Sequence, residues 1–232
     1  MIKFTHIAAA AAIAFAAPVL ADDGHGHGND EAHGKSHGQF AATQSDIATA
    51  KAGTYRIEPS HAYISFSYNH LGFSYPVLGF NKFDGTLNID PAALEDTSIN
   101  VTIDANSIES RVAKFNDHLK GEGFFDVANH PEITFVSTAA LPESAGSGKI
   151  AGDLTIKGIT KPVVLDVVLH KAGANPINKK ETIGVSAKTT IKRSEWDLGL
   201  YAPNVSDEVK IIISAEFQHQ HVAPVKSTSG SR

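Results

Sequence analysis

The chain has 232 residues, 25 of them acidic and 20 basic, a formal net charge of −5 at pH 7, and no cysteine. A mildly acidic chain with no basic stripe is a poor match for nucleic acid. The absence of Cys removes thiol redox chemistry, Cys nucleophiles and Cys-based zinc sites.

The N-terminus carries Lys3, an apolar run from Ile7 to Ala17, then Pro18-Val19-Leu20-Ala21 before Asp22-Asp23. The apolar run is too short to span a bilayer, and small residues precede the acidic pair. This pattern predicts a signal peptide over residues 1–21 and an exported, periplasmic protein. Residues 22–52 follow as a Gly/His-rich linker without hydrophobic periodicity, expected to be disordered. His25, His27, His33 and His37 lie there beside Asp22, Asp23, Asp30 and Glu31. Imidazoles on a flexible chain can take zinc, nickel or copper, but weakly and with loose selectivity. A short polar tail is expected over 223–232.

Between these lies a folded region of roughly 165 residues, large enough to hold together without disulfides. Its pattern has period two, the mark of strands with one buried face. Tyr55 and Ile57 begin a strand that Pro59 is expected to end. Ala62, Ile64, Phe66 and Tyr68 then alternate with Tyr63, Ser65, Ser67 and Asn69. Phe83, Gly85, Leu87 and Ile89 follow, then Ile99, Val101 and Ile103. A helix-like piece, Ala113–Leu119, places Phe115 and Leu119 four apart on one face. Strand pattern resumes at Ile133 and Phe135, and again at Ile150, Gly152, Leu154 and Ile156. Lys157-Gly158-Ile159-Thr160-Lys161-Pro162 reads as the turn of a hairpin returning through Val163, Leu165, Val167 and Leu169. Gly146-Ser147-Gly148-Lys149 lacks phosphate-loop spacing and reads as a hairpin connection. Ile183 to Ile191 and Val209 to Phe217 complete the set.

Eight to ten short strands with almost no helix predict an all-β, antiparallel β-barrel with one short helical insertion. Closure is favoured over a sandwich because it leaves no exposed edge.

An eight-stranded barrel is just wide enough to be packed solid or to hold one slim ligand. Phe66, Tyr68, Phe73, Tyr75, Phe80, Phe83, Phe115, Phe124, Phe125, Phe135 and Trp196 are the candidate lining. Taken singly, each is as well explained by core packing. Those around 115–125 are more pointed, because they lie off the strand pattern and could cap a barrel mouth. Arg193 and Lys188 could contact an anion, although basic residues on strands mostly face solvent. Asp84, Asp90 and Asp153 fall on the polar phase and read as solvated. No Gly-x-Ser-x-Gly, His-Glu-x-x-His or strand-bound Gly-x-Gly-x-x-Gly occurs, so the residues point to binding before catalysis.

Several motifs occur in order: Tyr55-Arg56-Ile57-Glu58-Pro59-Ser60-His61, Ser67-Tyr68-Asn69-His70-Leu71-Gly72-Phe73-Ser74, Phe115-Asn116-Asp117-His118-Leu119-Lys120, Phe124-Phe125-Asp126-Val127, Gly152-Asp153-Leu154-Thr155-Ile156-Lys157-Gly158-Ile159-Thr160-Lys161-Pro162 and Ile191-Lys192-Arg193-Ser194-Glu195-Trp196. In these the chain resembles the YceI-like family of bacterial exported polyisoprenoid-binding proteins. The resemblance spans Gly53 to about His219, within a barrel expected over 53–222. It implies a lipocalin-like barrel, with a non-covalent polyisoprenoid or isoprenoid-quinone ligand in an apolar channel and the head group near the mouth. His61, His70 and His118 sit in its motifs and could hydrogen-bond that head group. The expected partners are the isoprenoid lipid, a membrane electron-transfer protein such as a cytochrome b, and a second copy as a homodimer. The alternative is an exported metal-handling or stress protein acting through its His-rich arm.

Overall fold

The computed structural model describes residues 46–220. The expected signal peptide, the His25, His27, His33 and His37 cluster and the tail over 223–232 lie outside the described residues.

Ten strands, in chain order, make one antiparallel sheet. They are β1 (Gly53–His70), β2 (Val77–Phe80), β3 (Phe83–Ile89), β4 (Ser98–Asp104), β5 (Ile108–Glu109), β6 (Glu132–Ser144), β7 (Ser147–Ile156), β8 (Ile159–Ala174), β9 (Glu181–Lys192) and β10 (Val205–His219). The helix α1 (Ala113–Lys120) stands between β5 and β6. Eight strands form the closed ring β1-β3-β4-β6-β7-β8-β9-β10, which returns to β1 through the β10–β1 pairing. Closure pairs every long edge, the physical reason to prefer a barrel over an open sheet.

β1 is one strand of 18 residues, longer than expected, because the chain does not stop at Pro59. The register against β10 shifts between Ile57 and Ala62, so Glu58–His61 form a bulge. Proline lacks an N–H for the ladder, and a bulge accommodates it without ending the strand. The same strand is shared on its other flank: β3 covers Gly53–Arg56 and β2 covers Ile64–Ser67. β2 in turn pairs with β5. These two short strands patch the upper seam and went unseen in the sequence pattern.

The β7–β8 hairpin is as expected but its turn is tighter, because Ile159–Pro162 already pair with β7. Lys157 and Gly158 both have positive φ, at 49° and 72°, which a two-residue type I′ hairpin requires. Alternation sends one residue set of each strand inward. Along β10 the inner set runs Val205, Val209, Ile211, Ile213, Ala215 and Phe217, while Ile212 faces outward.

The barrel has two unlike ends. At the base, Tyr55 pairs with His219. The folded part reaches back at least to Asp46, so residues 46–52 are not linker. Asp46 caps a single 3-10 turn at Ile47–Thr49. Ile47 N–H donates to the Ala145 carbonyl at 3.0 Å, and the Thr49 hydroxyl donates to the Ala172 carbonyl at 3.0 Å. Fully buried Tyr55 donates its hydroxyl to the Lys51 carbonyl at 2.8 Å. This segment straps the base. At the other end, His70 pairs with Val205, and the insertion carrying α1 folds over the ring.

Candidate functional site

The inner faces of the ring enclose a cavity of about 450 Å³, within the size range of small-molecule pockets. Its wall runs from Phe217 near the base to Val205 at the mouth, roughly 40 Å of strand at the usual rise. Almost every inward residue is aliphatic or aromatic, because period-two strands placed their apolar phase inside when the sheet closed. One glycine makes room by design of the wall. A Cβ at Gly152 would lie 2.4 Å from the ring of Phe135, so only glycine lets that ring lie flat against β7.

Ten of the fourteen residues expected to contact a ligand line this cavity: Phe66, Tyr68, His70, Phe80, Phe83, Phe115, His118, Phe124, Phe125 and Phe135. Four do not: Tyr75, Phe73, Trp196 and His61. Tyr75 is 66 % exposed. Phe73 is 90 % exposed, on the turn after β1. That turn is closed by bonds from His70 N–H to the Ser74 carbonyl and from Phe73 N–H to the His70 carbonyl, so its side chain points away from the barrel. Trp196 is 1 % exposed but sits behind the wall. The 3-10 turn Arg193–Trp196 tucks it outside the cavity, where its indole N–H donates to the Leu154 carbonyl at 3.1 Å.

The aromatic residues at the mouth form a connected set. Phe66 meets Phe80 at 5.7 Å, and Phe80 meets Phe125 edge-on at 5.6 Å. His118 stacks near Phe115 at 6.3 Å and meets Phe124 at 4.9 Å, and Phe124 lies 6.3 Å from Tyr201. The insertion holds its rings by local bonds. Phe125 N–H donates to the Leu119 carbonyl at 3.0 Å, and Phe124 N–H to the Gly121 carbonyl at 3.0 Å. Phe115 and Leu119 share the cavity-facing side of α1, as their spacing predicts.

Arg193 corrects the expectation of a solvated basic residue. It is 8 % exposed, because β9 ends at Lys192 and the following 3-10 turn breaks the alternation. Its guanidinium donates to the carbonyls of Ser206 (2.9 Å), Leu200 (2.8 Å), Val205 (2.8 Å) and Leu198. Burial lowers its pKa, while the charges of Asp207 and Tyr68 act the other way. Asp207 feels burial too, but hydrogen bonds from Ser194 and the Arg193 charge prevail and hold its carboxyl below the ordinary range. Lys188 stays outside, as expected. Burial raises the pKa of the Tyr68 hydroxyl, against the pull of Arg193, so at neutral pH it stands in the wall as a neutral phenol. His61 lies on the β1 bulge, exposed and paired with Glu58, and takes no part in the cavity wall. Sequence reasoning missed Leu200 and Tyr201 as cavity residues and weighed Arg193 as outward; nothing in the strand period marks a loop whose carbonyls a buried guanidinium holds at the mouth.

The family model of the YceI-like domain matches residues 55–217, nearly the whole of the ring from β1 to β10. The chain belongs to the YceI-like family. It is 35 % identical over 179 residues to Protein YceI of Salmonella agona, across 76 % of this chain and 93 % of that protein. Among solved structures, this YceI-like barrel matches BcnA of Burkholderia cenocepacia with a TM-score of 0.63 and 27 % identity, over 69 % of this chain and 98 % of that one. A polyisoprenoid binding domain from Saccharophagus degradans shares the fold at a TM-score of 0.54 and 12 % identity, over 73 % of this chain and all of that one.

Proposed function

We propose that the protein is an exported, periplasmic carrier or store of a long-chain isoprenoid lipid, held without covalent attachment in the barrel cavity. The observation that carries this reading is the apolar channel running from Phe217 to Val205 behind an aromatic mouth. Each methylene transferred into such a channel contributes about 0.8 kcal/mol, so a prenyl chain binds firmly without a charged anchor. The fold shared with a polyisoprenoid binding domain supports the same ligand class. Tyr68, as a neutral phenol, and His70 at the rim offer hydrogen bonds to a carbonyl, which suits an isoprenoid quinone. A quinone cargo would make a membrane electron-transfer protein such as a cytochrome b the natural recipient.

The reading is of binding without turnover. Among the described residues, the buried cation at the cavity, Arg193, commits four of its five N–H donors to main-chain carbonyls, which suits a part in holding the rim. Organic extraction of the purified protein, followed by mass spectrometry, tests the proposal. A co-purifying prenyl compound at near-stoichiometric amount is the expected result. Protein that comes out empty and then fails to take up a prenylated quinone from detergent would overturn it.

A further inference from the structure

Two loops meet at the cavity mouth, and neither carries a charge. Leu71-Gly72-Phe73-Ser74-Tyr75-Pro76-Val77 and Leu198-Gly199-Leu200-Tyr201-Ala202-Pro203-Asn204 contain no Asp, Glu, Lys or Arg, in a chain where 19 % of residues are charged. They are held side by side: Leu71 N–H donates to the Asn204 carbonyl at 3.2 Å. Each is pinned from within as well. The Asn69 amide oxygen accepts from Gly72 N–H at 2.7 Å, and its amide nitrogen donates to the Tyr75 hydroxyl at 3.1 Å. Arg193 grips the Leu198 and Leu200 carbonyls.

On this fixed backbone the apolar side chains face water. Phe73 is 90 % exposed, Tyr75 66 % and Tyr201 57 %, with Leu71 and Leu200 about half exposed. Leu200 and Tyr201 also line the cavity, so the exposed patch is continuous with the channel interior. A contiguous exposed apolar patch around an opening marks an interaction surface, and the internal bonds fix the loop backbone that presents it.

We propose that this rim is a membrane-docking face: Leu71, Phe73, Tyr75, Leu200 and Tyr201 enter the interfacial zone of a lipid bilayer and set the cavity mouth against it. Tyrosine with leucine and phenylalanine suits that zone, where one end of the side chain is apolar and the other wet. The two loops carry no charge of their own, so they can approach a bilayer without stripping water from an ion on either of them. The role rests on the carrier reading above, since only a water-insoluble cargo needs a membrane at the mouth. Docked this way, the cargo would pass between bilayer and channel without crossing water.

Flotation of the cargo-free mature protein with vesicles of pure phosphatidylcholine tests this, because those vesicles offer no net charge. The wild type is expected to float with the vesicles. The double variant Phe73→Ser/Tyr75→Ser, at positions outside the cavity wall, is expected to lose at least about tenfold in partitioning with unchanged circular dichroism. Ile177→Ser, at an equally exposed site on the β8–β9 hairpin at the base, is expected to behave as wild type. A wild type that stays off the vesicles, or a Ile177→Ser variant that loses as much as the rim variant, overturns the proposal. So does a rim variant that turns a dimer into a monomer while its vesicle binding is unchanged, since the face would then belong to a second copy. Because no cargo is present, failure here is separate from an empty solvent extract, which would count against the carrier reading instead.

Discussion

Arg193 and Leu200 are joined by a 2.8 Å hydrogen bond from Nη1 to the main-chain carbonyl, and through it a buried guanidinium at the end of β9 holds the cavity rim. Arg193→Met would remove that bond and three others to carbonyls, leaving buried acceptors unpaired. The expected cost is about 3 kcal/mol or more, read as a lower urea midpoint. Arg193→Lys should recover little of it, since an ammonium cannot reproduce the planar fork. A loss below about 1 kcal/mol would mean that the rim holds itself.

Phe124 and Phe125 separate mouth from core. Phe124 is half-buried between His118 and Tyr201, so Phe124→Asp should fold and lose bound lipid. Phe125 is 9 % exposed against Phe80, so Phe125→Asp should lose stability as well, by several kcal/mol before its pKa shifts. Phe125→Leu keeps the site apolar and should stay near 1 kcal/mol. Thermal melts combined with lipid extraction distinguish these outcomes. Full lipid occupancy in Phe124→Asp would place the ligand away from the mouth.

Gly152→Val tests the width of the channel. Its added side chain would collide with the ring of Phe135, a cavity-lining residue, and with the Val136 carbonyl oxygen. The expected result is about 1–3 kcal/mol of destabilisation from overpacking, together with reduced uptake of a prenyl ligand. Unchanged uptake would show that the ligand does not occupy that level of the barrel.

Asp207 predicts an acid response. Its folded pKa lies below the ordinary 3.8, so the folded state binds that proton less readily than the unfolded chain. The stabilisation is therefore fully present above about pH 5 and is lost as pH falls below 3.8 through the folded value. Asp207→Asn keeps an acceptor for Ser194 N–H but no longer titrates. Urea midpoints measured from pH 5 down to 3 should fall less steeply in this variant. Parallel curves would remove Asp207 from the acid response.

Thr49 and Ala172 link the base strap to β8 by a hydroxyl-to-carbonyl bond. Thr49→Val keeps the side-chain volume but removes the donor, and should cost about 1 kcal/mol. Amide exchange should quicken at Ile47 and Ala50, whose N–H groups belong to the strap, and stay slow in mid-barrel strands. Unchanged exchange would mean that the strap is held by packing alone.

The strands themselves were legible, because period-two alternation depends only on neighbours in the chain. So were the β7–β8 hairpin, although its turn is confined to Lys157-Gly158 rather than reaching Pro162, and the helix that brings Phe115 and Leu119 to one face. The likeness of the ordered motifs to the YceI-like family was legible too, and the match over residues 55–217 bears it out. Tertiary structure alone decided the rest. Pro59 looks like a strand end until the bulge against β10 shows the ladder continuing past it. β2 and β5, of four and two residues, are too short to show a period and exist because β1 leaves its upper flank unpaired. Phe73, Trp196 and Arg193 each follow the end of a strand, where alternation no longer says which way a side chain points. There the direction is set by turn geometry and by bonds between segments. A local turn closed between His70 and Ser74 leaves Phe73 exposed, while a bond to Leu154 holds Trp196 in place and bonds to four carbonyls draw the Arg193 charge inward to the mouth of the barrel.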